Sequence, residues 1–307
     1  MGVLPVVLQV VTIFINVITP VFALVAIGYF AGPALGLEAR TLSRFAYFIL
    51  IPAFIFNVIS SAEVQPGLIT RMVLYTLLVH LACALLGFGV GWILRRPKQM
   101  ISAYVLIAVF GNVGNFGLPL INFRLGEEAV FAATVYFLAI IIIAFVIGVA
   151  AANWNNKGSM KAALEVLKTP ALLAMVPAFF FTGSSFEPPL VLTRITGLLG
   201  GAMIPTMLVT LGISMAQVGR IELSRDVYIA SAIRLIGGPI LAFALVAPFG
   251  LTGIERGAGI LQASMPTAVL ASIIAMEYDL LPDFVTTTVL FSTVVSVVTL
   301  TTVLTLV

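Results

Sequence analysis

The stretch from Ala129 to Ala152 contains no charged residue and no proline, and Val285 to Val307 repeats the pattern. A helix that spans a bilayer needs about 20 consecutive apolar residues. Outer-membrane strands would instead show alternating segments of about ten residues. Runs this long and unbroken select helices. Composition agrees, with 61% hydrophobic and 9% charged residues. A soluble domain carries about 25% charged residues and uses them to coat its surface, so a soluble fold is excluded. Disorder is excluded by the apolar content. A disulfide framework is excluded because Cys83 is the only cysteine. The net charge of +3 is assigned to basic loops on one face of a membrane, not to nucleic-acid binding. The first segment lacks a basic start and a small-residue cleavage site, so it reads as membrane rather than cleaved signal. The chain is read as complete or nearly so.

Charges, prolines and glycines divide the sequence into about ten hydrophobic segments: 10–31, 39–60, 69–94, 101–123, 128–153, 168–183, 190–216, 226–249, 254–280 and 284–307. The connections are short, and the longest, Asn153–Leu167, lies at the middle. Basic residues in loops set orientation. Odd connections hold Arg40, Arg44, Arg95, Arg96, Lys98, Lys157, Lys161, Lys168, Arg220 and Arg225. Even connections hold only Arg71, Arg124, Arg194 and Arg256. Odd loops are therefore expected in the cytoplasm and both termini outside, in an inner or plasma membrane.

Three proline sites recur in order, displaced by roughly half the chain. Thr19-Pro20 matches Thr169-Pro170, Ile51-Pro52 matches Ile204-Pro205, and Pro119 matches Pro266. This predicts two repeats, 1–155 and 156–307, of about five spans each. An odd span count inverts the second copy, an architecture common among secondary transporters. The expected fold is all-α and polytopic, with inverted five-helix repeats and crossing broken helices.

The breaks are legible. The fourth segment contains Gly111-Asn112-Val113-Gly114-Asn115-Phe116-Gly117-Leu118-Pro119, and the ninth contains Gln262-Ala263-Ser264-Met265-Pro266-Thr267. In lipid, backbone freed by such a break must be satisfied by protein or by a water-filled cavity. Each second half-helix would begin near mid-membrane with its positive end exposed, and Pro119 and Pro266 suit a first helical position. Such an end attracts a carboxylate, with neutral hydrogen bonds from Asn112, Asn115, Gln262, Ser264 and Thr267. The alternative is a kink that merely lets helices cross.

The Gly-Asn-Val-Gly-Asn-Phe-Gly-Leu-Pro-Leu stretch, Arg44–Pro52 (RFAYFILIP) and Gly200–Ser214 (GGAMIPTMLVTLGIS) resemble the auxin efflux carrier family, which includes plant auxin exporters and bacterial carriers of malate or malonate. The resemblance covers nearly the whole chain. It implies ten helices in two inverted repeats, like bile-acid sodium symporters and sodium/proton antiporters. It also implies a scaffold from segments one, two, six and seven, and a moving part from three to five and eight to ten. In the plant carriers, asparagines beside the crossover contact the anion, which carries over to Asn112 and Asn115. No asparagine stands at the second break. The long loop of many plant members is absent, which points to a bacterial-type carrier.

Ionisable groups inside a membrane mark function by default. His80, the single histidine, would carry a proton or be a hydrogen-bonded structural residue. Arg234 would hold a substrate carboxylate, snorkel to the cytoplasm, or bond broken-helix carbonyls. Glu277 and Asp279, near the outer end of the ninth segment, would form a solvated rim, a gate or a proton inlet. Asn57 would face the substrate path or make a helix–helix hydrogen bond. No Asp or Glu lies beside either break, which weighs against a sodium/proton antiporter. There is no phosphate-binding motor loop and no zinc motif, so no cofactor or metal is expected and no enzyme. The expected function is a carrier of small organic anions, a dicarboxylate or an auxin-like acid, with Asn112, Asn115 and the half-helix ends on the carboxylate and Phe116 shaping the pocket. Partners are the anion and the bilayer, with protons or sodium as open coupling ions and a homodimer left open. The alternative is a sodium-coupled organic-anion symporter of bile-acid type.

Overall fold

Four helices of this protein widen over one turn just ahead of a proline. The computed structural model describes residues 8, 10–62, 66–154, 169–182, 186–217 and 222–307. They form the helices α1 (Val10–Ala34), α2 (Ala39–Ser60), α3 (Pro66–Ile93), α4 (Lys98–Val109), α5 (Leu118–Leu125) and α6 (Glu128–Asn153), then α7 (Pro170–Thr182), α8 (Leu190–Ala216), α9 (Arg225–Leu245), α10 (Gly253–Ala263), α11 (Val269–Glu277) and α12 (Pro282–Leu304). Four π-helical turns occur at Phe14–Ile18, Ala46–Leu50, Val113–Gly117 and Ile233–Gly237. Each is followed two residues on by a proline: Pro20, Pro52, Pro119 and Pro239. Proline lacks an N–H and clashes one turn back. Widening the preceding turn lets the residue before each proline bond five residues back instead, as Leu118 N–H does to Val113 O.

Among the described residues, α1, α2, α3, α6, α8, α9 and α12 are each long and apolar enough to cross a membrane. This is an all-α polytopic membrane protein. The fourth and ninth expected segments are each two helices, because the breaks stop them at half length, and α7 has 13 residues. The expected loop charges Lys157, Lys161, Lys168 and Arg220, with most of the central connection, lie outside the described residues.

The helices pack as two groups. In the first, α1 lies along α8, and α2 packs on α7 and α8. A Cβ on Gly28 would sit 2.0 Å from Val209 O, and one on Gly212 would sit 1.9 Å from Val25 O. Only glycine permits this approach, and close backbone packing is what holds helices together where lipid is as apolar as the side chains. The second group is α3–α6 with α9–α12. One of its ends is tied by Arg71, which donates to Gly250 O at 3.0 Å and pairs with Glu255 at 3.6 Å, and by Arg124, which donates to Val307 O at 3.0 Å. The other is tied by Arg96 on Asp226 at 2.9 Å, with the Tyr104 hydroxyl donating to the same carboxylate. Contacts between the groups are few and fall on the π turns at Phe14–Ile18 and Val113–Gly117, and between α2 and α6.

Candidate substrate site at the helix crossing

The two interruptions meet. Gly111 and Thr267 form an isolated antiparallel β-bridge. Asn112 N–H donates to Pro266 O at 2.7 Å, and Ala268 N–H donates to Phe110 O at 2.8 Å. Backbone released by each break is thus satisfied by the other, as a low-dielectric surrounding demands.

Four helix ends converge here, two negative and two positive. The negative ends are those of α4 and α10. Arg234, carried on the π turn of α9, reaches both: its Nε donates to Met265 O at 2.7 Å and its Nη1 to Ala108 O at 2.8 Å. It is 1% exposed, and no described carboxylate lies within ion-pair distance of it. Among the roles open to it in the sequence, bonding to broken-helix carbonyls is the one that these contacts make. Its Nη2 has no hydrogen-bond partner and lies where a Cβ on Gly111 would fall, at 2.0 Å.

The positive ends differ. The helix after the first break opens at Val113, where Asn112 O accepts from Phe116 N and Gly117 N. Its opening residues Gly114 and Asn115 are partly buried rather than fully so, as are Val269 and Leu270 at the start of α11. The first N–H groups of a helix have no intrahelical partner. The crossing therefore places a cation on its carbonyl ends, while the residues that open its N–H ends are only partly buried.

The expected residues divide. Asn112 is 4% exposed and its Nδ2 has no partner. Phe116 is buried, edge-on to Phe22 of α1 at 5.3 Å. Pro119 is buried but is not at a first helical position: the half-helix opens at Val113, and Pro119 stands inside it, just past the π turn. Gln262 donates to Ala133 O at 3.0 Å, while its Oε1 is unpartnered and fills the space beside Gly117. Thr267 Oγ1 is buried without a partner. Ser264 turns inward and donates to Ile260 O at 2.7 Å. Pro266 is not at a first helical position. It lies in the extended linker, three residues before α11 begins, and serves as the acceptor of the bridge.

Outside the crossing, Asn57 lines a cavity of about 730 Å³ between the two helix groups. Phe54 and Gly200 line its α2/α8 side, and Asn122, Glu127 and Glu255 its other side. His80 is fully buried on α3. It hydrogen-bonds Thr76 O through Nδ1 at 2.8 Å and lies against the Tyr136 ring at 5.6 Å, with Nε2 unpartnered. Glu277 is exposed at the end of α11. The α11–α12 turn sits at the Arg96 end of the bundle, because Phe284 packs on Tyr104 at 6.2 Å. Glu277 is thus at the opposite end from the Glu127–Glu255 cavity and is not on an outer rim shared with it. Sequence reasoning missed that cavity, and the four π turns, whose signal was the prolines.

Apolar helices of membrane length around a buried, mutually paired interruption define a membrane transport protein. The chain belongs to the family described as membrane transport protein, whose model matches residues 13–304, and this is the auxin efflux carrier family suggested by the motifs. It is a transporter and not an enzyme. A protein of Rhizobium meliloti named "Putative malonate transporter" is 26% identical over 303 residues, covering 93% of both chains. An uncharacterized transporter of Methanocaldococcus jannaschii is 25% identical over 283 residues, covering 86% of this chain and 89% of its own. Auxin efflux carrier component 1 of Arabidopsis thaliana is 27% identical over 114 residues, 36% of this chain and 18% of the plant protein.

Proposed function

We propose that the protein carries small carboxylate anions across the membrane, binding them at the crossing against the N–H ends at Gly114–Asn115 and Val269–Leu270. The carrying observation is that asymmetry: carbonyl ends capped by buried Arg234, and amide ends opened by residues that are only partly buried. Asn112 Nδ2, buried and unpartnered, supplies a donor. Phe116 and Phe22 bound the apolar part. The length and name of the Rhizobium relative support a dicarboxylate such as malonate.

In this reading the fold comprises ten spans in two inverted repeats, 1–155 and 156–307. Helices α1, α2, α7 and α8 are the scaffold, and α3–α6 with α9–α12 move as a unit. The sparse contact between the groups and the cavity at Asn57 support a sliding, elevator-type motion. The loop-charge bias puts both termini outside in a cell membrane, so the cavity opens outward. A monoanion leaving a negative interior gains about 2.3 kcal/mol per 100 mV, which suffices for efflux without a motor.

The test is thermal-shift titration of the purified chain with malonate, malate and indole-3-acetate, with and without sodium, followed by proteoliposome flux. Asn112→Ala should weaken the preferred anion about tenfold or more, the magnitude of one lost hydrogen bond to a charge. Unchanged binding and flux in that variant would remove Asn112 from the site. Loss of binding on replacing sodium with choline would favour the sodium-coupled alternative.

A further inference from the structure

We propose that Arg234 is the positioning residue that makes the crossing select for charge, without itself touching the transported molecule. The inference rests on the anion reading above and deepens it. Helix ends carry about half a charge each. Four ends at one crossing would nearly cancel: two carbonyl ends against two amide ends. A crossing of that kind would attract neither anion nor cation strongly. Arg234 changes the sum. Its guanidinium spans the gap between Ala108 O and Met265 O, residues on two different half-helices, and its charge offsets the two negative ends together. The amide ends are then the unopposed partial charges, and the site as a whole is positive.

Two further observations fit this role. The guanidinium is 1% exposed and has no acidic partner among the described residues, although ion pairs exist at both ends of the same bundle. A buried cation is costly unless paired, so its persistence without a carboxylate means that the helix ends are its counter-charge. Gly111 also leaves room for it: a Cβ there would meet Nη2 at 2.0 Å. The sequence at the break and the arginine on α9 are thus fitted to each other. Arginine, with a planar fork of donors, can serve two carbonyls at once, whereas lysine offers a compact point charge.

The experiment compares malonate, a dianion at neutral pH, with its monomethyl ester, a monoanion of similar size, on the full chain in nanodiscs. The wild type should prefer the dianion. In Arg234→Gln the ratio of the two affinities should fall about tenfold, the effect of one charge acting through a partly screened interior. In Arg234→Lys the ratio should persist while the unfolding midpoint drops, because charge is retained and the fork is lost. A purely structural arginine would weaken both ligands equally and leave the ratio alone in every variant. An unchanged ratio in a folded Gln variant, or a lost ratio in a folded Lys variant, overturns the proposal. Gly111→Ala, which pushes the guanidinium off the carbonyls while keeping its charge, should weaken both ligands and keep the ratio; a lost ratio there also overturns it. If the wild type binds the ester and malonate alike, the charge selection proposed here is overturned while the anion reading stands; if it binds neither, the anion reading fails at its own first step. That result is distinct from a wild type that discriminates and a Gln variant that still does.

Discussion

The two helix groups of this protein are both apolar outside and differ inside. Among the described residues, the buried polar side chains of α1, α2, α7 and α8 are Thr196 and Thr210, both on α8 and both donating to their own helix, and the hydroxyl oxygen of partly buried Ser60 on α2 is enclosed without a partner. The other group buries His80, Asn112, Arg234, Gln262, Ser264, Thr267 and a series of hydroxyls along α12. The first group is held mostly by backbone brought into contact at glycines, with one hydrogen bond from Thr182 of α7 to Ile59 O of α2 at 2.7 Å, and the second by a larger set of hydrogen bonds that cross between helices. A rigid frame needs only the former. A region that must take up and release a polar molecule needs donors and acceptors with a vacancy, and the unpartnered atoms of Asn112, Gln262 and Thr267 belong to this second group.

Substitutions can break this contrast. The largest effect is expected at Gly212→Ala. The new Cβ would lie 1.9 Å from Val25 O, and overpacking between rigid backbones costs about 3 kcal/mol or more. The unfolding midpoint should fall markedly, and the residual folded protein should bind ligand with unchanged preference. Next comes Gly117→Ala, whose Cβ would meet Gln262 Oε1 at 2.1 Å. Here the obstacle is a side-chain tip that can move, so about 1–2 kcal/mol is expected. Ligand affinity should fall in parallel, because the crossing itself is displaced; isothermal titration reads it. The smallest effect is expected from Glu255→Gln. Its partner Arg71 has a side chain 40% exposed, and exposed pairs contribute about 1 kcal/mol or less. Added salt should erase the difference in unfolding midpoint between the variant and wild type. A large loss at Glu255, or none at Gly212, would refute the contrast.

Much of this was written in the sequence in local terms. The apolar runs announce a membrane protein, and Gly111–Pro119 and Gln262–Thr267 announce interruptions, because glycine, asparagine and proline act on their own turn of chain. What stayed hidden depends on distant partners. Nothing near Pro266 says that its carbonyl will accept from Asn112. Ser264 looks like a free hydroxyl and is spent on its own helix. Arg234 looked equally suited to a substrate, to the membrane surface or to helix carbonyls, and only the meeting of α4, α9 and α10 decides. Asn57, polar in an apolar helix, reads as facing the substrate path or bonding a neighbouring helix, and only the approach of α6 and α10 makes the cavity that it lines.

The bridge between the breaks also sets an order of events in the making of the protein. Ala108 and Arg234 are 126 residues apart, so when the first interrupted helix leaves the ribosome its partners have not been synthesised. Until α9 and α10 arrive, the carbonyls near Ala108 and the amide of Asn112 have no route to satisfaction except water or the insertion machinery. The first half of the chain is in that sense an unfinished object that must be sheltered. Truncations after α6 should be recognised by quality control as defective, even though each long helix they contain is sound.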